Sequence, residues 1–132
     1  MSAQTETQST AFQTYQDLLA AIAPAGESRP IKDPATGEVV AEAPVHTAAD
    51  LDAAVAAAHA AQPEWAALGH EKRSEYLNQA ADAIEASAEA LAELLSREQG
   101  KPLNGPNARF EVGACAAWLR AAATIRLEPE MV

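Results

Sequence analysis

The stretch REQGKPLNGPNARFEVGACAAWLR, residues 97–120, decides how this chain is read. Gly100 and Pro102 punctuate it, because glycine accepts the left-handed conformation that ends a helix and proline cannot continue one. Asn104-Gly105-Pro106-Asn107 reads as a loop, and a new helical pattern spans Ala108 to Thr124. Inside that second helix sits the single cysteine, Cys115, between Ala114 and Ala116. A nucleophilic thiol needs a helix N-terminus, a base or a cation to lower its pKa. Cys115 is mid-helix with no histidine nearby in sequence, so it is expected to be a buried small packing residue.

Upstream of that stretch the helical period continues. Leu91, Leu94 and Leu95 share a face, preceded by Leu77, Ala80, Ala81 and Ile84 on a helix starting near His70 or Glu71. A bend near Ser87 separates the two runs. Earlier still, Thr47 and Asp50 form a capping pair for a helix with Leu51, Ala54, Val55 and Ala58 as its expected buried stripe. Pro63 is expected to end that helix, with Trp65 and Leu68 anchoring a connector to Gly69. Between Arg29 and Pro44 the pattern changes. Asp33-Pro34-Ala35-Thr36-Gly37 separates two short β-compatible runs, which predicts a hairpin with strands near 29–33 and 38–43. Phe12, Tyr15, Leu18, Leu19 and Ile22 give one more short amphipathic helix.

The organisation is therefore a polar N-terminal tail plus short helix over 1–28, then a hairpin and helical part over 29–132. The fold class is mainly α with a β-hairpin near the N-terminus. Ser2 to Thr10 is polar and expected to be frayed, and Leu127 to Val132 is expected to be extended, like a severed strand.

Composition narrows the function. Of 132 residues 48% are hydrophobic but only 5% aromatic, and alanine supplies much of the apolar share. Alanine favours helix yet contributes little apolar area, so marginal stability is expected unless something covers the apolar faces. A net charge of −10 argues against nucleic acid and anionic membrane as partners. One cysteine forms no internal disulfide, the first residues lack a signal-peptide pattern, and no apolar run reaches membrane-span length. The expected location is the cytoplasm.

No complete active site emerges. His46, His59 and His70 lack metal-ligand spacing and are expected to be solvated. Glu85 and Glu89 fall on an expected exposed helix face, and the glycines make no phosphate-cradling loop. No catalytic, cofactor-binding or metal-ligating residue can be assigned.

Three stretches together resemble the beginning of an NAD(P)-dependent aldehyde dehydrogenase. They are Asp33-Pro34-Ala35-Thr36-Gly37-Glu38 with the following Val39 to Pro44, the alanine-rich run Asp50 to Ala61 with Trp65, and Arg97 to Leu103 leading to Ala116-Ala117-Trp118-Leu119-Arg120. The resemblance covers about residues 31–132. It implies a fragment of the α/β aldehyde dehydrogenase-like fold, cut before the family's catalytic cysteine, glutamate and dinucleotide segments. Cys115 lacks the glycine-glutamine context of the family's nucleophile. The loop Asn104 to Phe110 is longer than the family's commonest linker, which leaves the substrate class open.

The resemblance further implies that the complete enzyme oxidises an aldehyde to a carboxylic acid with NAD or NADP, while this chain alone holds neither cofactor and is inactive. Phe110 and Ala114, at i and i+4, would line the mouth of the aldehyde tunnel. Expected partners are a second copy or a full-length aldehyde dehydrogenase subunit. A non-catalytic binding or assembly module, pairing through its uncovered apolar faces, is the alternative reading. A plain helical bundle with an accidental likeness is the third.

Overall fold

The computed structural model describes residues 11–126, so the N-terminal polar stretch and the expected strand-like tail lie outside the described residues. Five helices and one hairpin follow in order. They are α1 (Tyr15–Ala21), β1 (Ser28–Lys32), β2 (Val39–Pro44), α2 (Ala48–Ala67), α3 (Gly69–Ala86), α4 (Ala88–Gln99) and α5 (Ala108–Thr124). The fold is mainly α with an N-terminal hairpin, as the sequence pattern requires.

The local chemistry of each boundary is visible. Thr14 caps α1 and Thr47 caps α2, each in a reciprocal box with the aspartate three residues on. The strands pair antiparallel with Ser28 opposite Pro44 and Ile31 opposite Ala41, and the register shifts between Ile31 and Lys32. In the connecting turn the Gly37 N–H donates to the Asp33 carbonyl at 2.7 Å. Gly37 itself holds φ +76°, which glycine adopts without a side-chain clash. Ser87 marks the bend between α3 and α4, where its buried hydroxyl accepts from the Phe12 N–H at 3.0 Å. Gly100 ends α4 in the left-handed conformation, at φ +66°.

Two small clusters make the core. Leu18, Ala90 and Leu94 pack with Phe12, Tyr15 and Val40, joining α1 and the hairpin to α4. Ala92, Ala108 and Val112 pack with Ile84, Leu95 and Leu103, joining α4 to α5. Helix α5 also lies along α3, where Ala81 and Ala116 are buried. Most of the buried side chains are alanines.

Three sequence expectations are corrected here. Helix α2 does not stop at Pro63 but continues to Ala67. A proline removes one N–H from the ladder. Because α2 is exposed throughout, water can serve the carbonyl so freed. The last turn is held instead by Trp65 against Tyr76, ring centroids 5.9 Å apart, and by the Arg73 guanidinium donating to the Ala66 carbonyl. The expected buried stripe of α2 is likewise exposed, Leu51 at 64% and Val55 at 60%, since no described element covers it. Trp118, expected from its spacing to share an apolar stripe of α5 with Val112, does not join it inside. Six residues along a helix rotate a side chain about 120° away from its starting face, and Trp118 is 75% exposed.

Candidate functional site

Two of the stretches singled out by sequence, the hairpin turn and Arg97 to Leu103 with the helix after it, come together around the end of α4, while the alanine-rich run of α2 stays exposed apart from them. The hairpin turn packs against the helix terminus, so that a Cβ placed on Gly100 would stand 3.2 Å from the Pro34 ring. Lys101 then turns toward α5, its ammonium donating to both Glu111 carboxylate oxygens at 2.8 and 2.7 Å. Ser96 donates to the Lys101 carbonyl at 2.7 Å. The Ala108 and Arg109 N–H groups donate to the Pro102 and Leu103 carbonyls. Asp33, Ala35, Arg97, Lys101 and Leu103 contribute to the wall of an open hollow of about 490 Å³ at this joint. The joint sets where α5 begins and how it is rotated.

Along its length α5 is pinned to α3 and α4 by ion pairs. Arg109 bonds Glu89, Arg120 bonds both Asp82 and Glu85, and Arg126 bonds Glu71. Hydrogen bonding from these guanidinium groups holds the Glu85 and Glu89 carboxyls below their ordinary pKa. Glu71 is lowered first by its own backbone N–H, at the start of α3, and then by Arg126. Glu85 and Glu89 are thus exposed, as the pattern implied, but they also serve as inter-helix partners, which the sequence did not reveal.

The C-terminal end of α5 has its own clasp. Ser74 donates its hydroxyl to the Ala123 carbonyl at 2.7 Å, and His70 Nε2 lies 3.0 Å from the Ile125 carbonyl. His70 is therefore half-buried and engaged, not simply solvated, while His46 and His59 are exposed. The partners are some fifty residues apart, and no local spacing announces them.

Phe110 and Ala114 share one outward face of α5, Phe110 63% exposed and Ala114 half-buried. Cys115 is exposed rather than buried, which corrects the packing assignment. Its neighbours Val112 and Ala116 take the buried positions. Cys115 flanks them at the rim of an open apolar cleft of about 310 Å³, with Ile84, Leu91, Leu94, Leu95 and Val112. Glu98 completes the lining as its one carboxylate, and no histidine or cation stands there, so exposure alone does not make the thiol a nucleophile.

Among the described residues no group of three His, Cys, Asp or Glu side chains is placed to hold a metal ion. None of their helices is long and apolar enough to cross a membrane. Nor do these residues fit a dinucleotide. The six glycines stand singly, at 26, 37, 69, 100, 105 and 113, without the glycine-rich strand-to-helix turn that cradles a pyrophosphate.

The model of the aldehyde dehydrogenase family matches residues 22–130. The chain is 45% identical over 87 residues to a 3,6-anhydro-alpha-L-galactose dehydrogenase of Streptomyces coelicolor, covering 66% of this chain and 18% of that protein. It is 42% identical over 96 residues to a non-phosphorylating aspartate-semialdehyde dehydrogenase of Halomonas elongata, covering 73% of this chain and 19% of that protein. No solved structure matches significantly. The chain thus spans less than a fifth of the length of these relatives. With its hairpin turn, its Gly100-Lys101-Pro102 joint and its following helix all inside the matched region, this chain belongs to the aldehyde dehydrogenase family.

Proposed function

We propose that this chain is the N-terminal segment of an aldehyde dehydrogenase whose complete form oxidises an aldehyde to the carboxylic acid with NAD or NADP. The observation that carries this reading is the family match over residues 22–130, paired with coverage of under a fifth of the relatives' length. When bound, the dinucleotide accepts the hydride. The residues here supply a scaffold, and the reacting groups belong to the rest of the enzyme. Alone, the chain is inactive.

In that scaffold the Lys101–Glu111 pair and the Gly100–Pro34 contact fix α5, and α5 presents Phe110 and Ala114 at the mouth of the aldehyde tunnel. The relatives' names, a 3,6-anhydro-alpha-L-galactose dehydrogenase and an aspartate-semialdehyde dehydrogenase, point to a polar aldehyde as substrate. The cytoplasm is the proposed location, and the single cysteine agrees with a reducing compartment. The alternative, an assembly module that pairs with itself or a full-length subunit, is favoured by one observation: large apolar side chains stand exposed on α2 and α5.

The test has two arms. Purified chain is expected to give no aldehyde-dependent reduction of NAD or NADP. A chimera of the Halomonas elongata enzyme, carrying residues 31–126 of this chain in place of its matched stretch, is expected to fold and oxidise aspartate semialdehyde. Turnover by the isolated chain, or a chimera that never folds, would overturn the reading.

A further inference from the structure

We infer that the outward face of the C-terminal half of α5, made by Ala117, Trp118 and Ala121 with Ile125 just past the helix end, is the seat on which the remainder of the aldehyde dehydrogenase polypeptide docks. The inference rests on the family-segment reading above. Trp118 is 75% and Ile125 62% exposed, and both alanines are exposed. Residues 117, 118 and 121 fall on one side of a helix of 3.6 residues per turn.

Helix α5 cannot rotate to hide this face. Its opposite side is committed to the core through Val112, Ala116 and Ala123. Lys101–Glu111 holds one end, Arg120 with Asp82 and Glu85 holds the middle, and the Ser74 bond to the Ala123 carbonyl holds the other end. A face fixed in advance loses little conformational freedom on docking.

The chemistry of the face describes its occupant. Ala117 and Ala121, one turn apart, form a low step that another helix or strand can approach closely. Trp118 beside them is the kind of large, stiff side chain that anchors protein contacts. The flanking cations, Arg120 and Arg126, are bonded to carboxylates of α3 and leave the face uncharged. An apolar segment fits. The relatives carry more than four-fifths of their length outside the matched stretch, which is ample chain to supply it. A second copy suits the face less well, because each copy brings a net charge of −10.

The test is thiol labelling of Ala117→Cys and, separately, Ala121→Cys, each in a Cys115→Ser background. A maleimide is applied to the isolated chain and to the Halomonas chimera, and the modified peptide is followed by mass spectrometry. Rates are normalised to those in denaturant. Both positions are expected to react rapidly in the isolated chain and at least about tenfold more slowly in the chimera. Equal rates in a folded, active chimera would overturn the docking face while leaving the family-segment reading intact. A chimera that neither folds nor turns over would overturn that reading, and the docking face with it. Labelling of the isolated chain that slows as its concentration rises would assign the face to a second copy and also overturn the proposal.

Discussion

Gly37 carries the tightest single-residue requirement in the hairpin. The Asp33 N–H donates to the Glu38 carbonyl at 2.9 Å, and the turn between them closes only with Gly37 at φ +76°. Space is not the issue, since a Cβ there would meet nothing within 4 Å. The cost of a side chain is conformational, and greatest for a β-branched one. Gly37→Val is therefore expected to destabilise the hairpin by about 1 kcal/mol or more, measured by amide protection of Ser28 to Pro44. Unchanged protection would mean that some other residue closes the turn. This position was legible in the sequence because turn chemistry is local. Cys115 was not, because its exposure depends on how far the leucines of α4 reach, a distance no neighbour in sequence encodes.

At the scale of elements, helix existence followed from period and punctuation. Ala108 to Thr124 was readable from the Asn104 to Asn107 loop and the apolar spacing, and the structure places α5 on those residues. The end of α2 was not readable, because Pro63 is tolerated when the helix is exposed throughout and its last turn leans on Trp65. What holds α5 in place was equally hidden. Its ion pairs join residues ten to fifty-five positions apart, whereas sequence patterns report neighbours three or four apart.

Those pairs predict a pH dependence. The folded-state pKa of Glu85 lies below its ordinary 4.5, chiefly through its hydrogen bond with Arg120. A depressed carboxylate stabilises the fold above its unfolded pKa, and that contribution is lost as pH falls through the folded value. Wild type is thus expected to be more stable than Glu85→Gln at pH 6, with the gap closing as pH drops below about 4.5. Comparing the two proteins cancels the general relief of self-repulsion that acid brings to a chain of this charge. Thermal midpoints across pH 6 to about pH 3 check it. A gap that persists at the acid end would assign the difference to lost packing rather than to the ion pair.

For the whole molecule, the deciding quantity is how little large apolar surface the described residues bury. Leu18, Leu94 and Val112 are the larger members of the buried set, and the remaining apolar members are all alanines. Leu51, Val55, Phe110 and Trp118 stay in solvent. The alanine-rich composition announced a helical chain of limited core area, but not which stripes would find partners, and no described element covers the Leu51 and Val55 stripe of α2. Denaturant sensitivity scales with the area exposed on unfolding, and small proteins span about 1–3 kcal/mol per molar urea. A chain that hides mainly alanine exposes little more on unfolding than it already shows. The isolated protein is therefore expected to unfold broadly in urea, with a slope at or below the bottom of that range, while far-UV circular dichroism reports a largely helical start. In the Halomonas chimera, where α2 and α5 gain cover, the same helices are expected to unfold at higher urea and in a steeper transition. A sharp transition in the isolated chain would show that these helices close a core without the rest of the enzyme. It would favour the assembly-module reading over the segment reading.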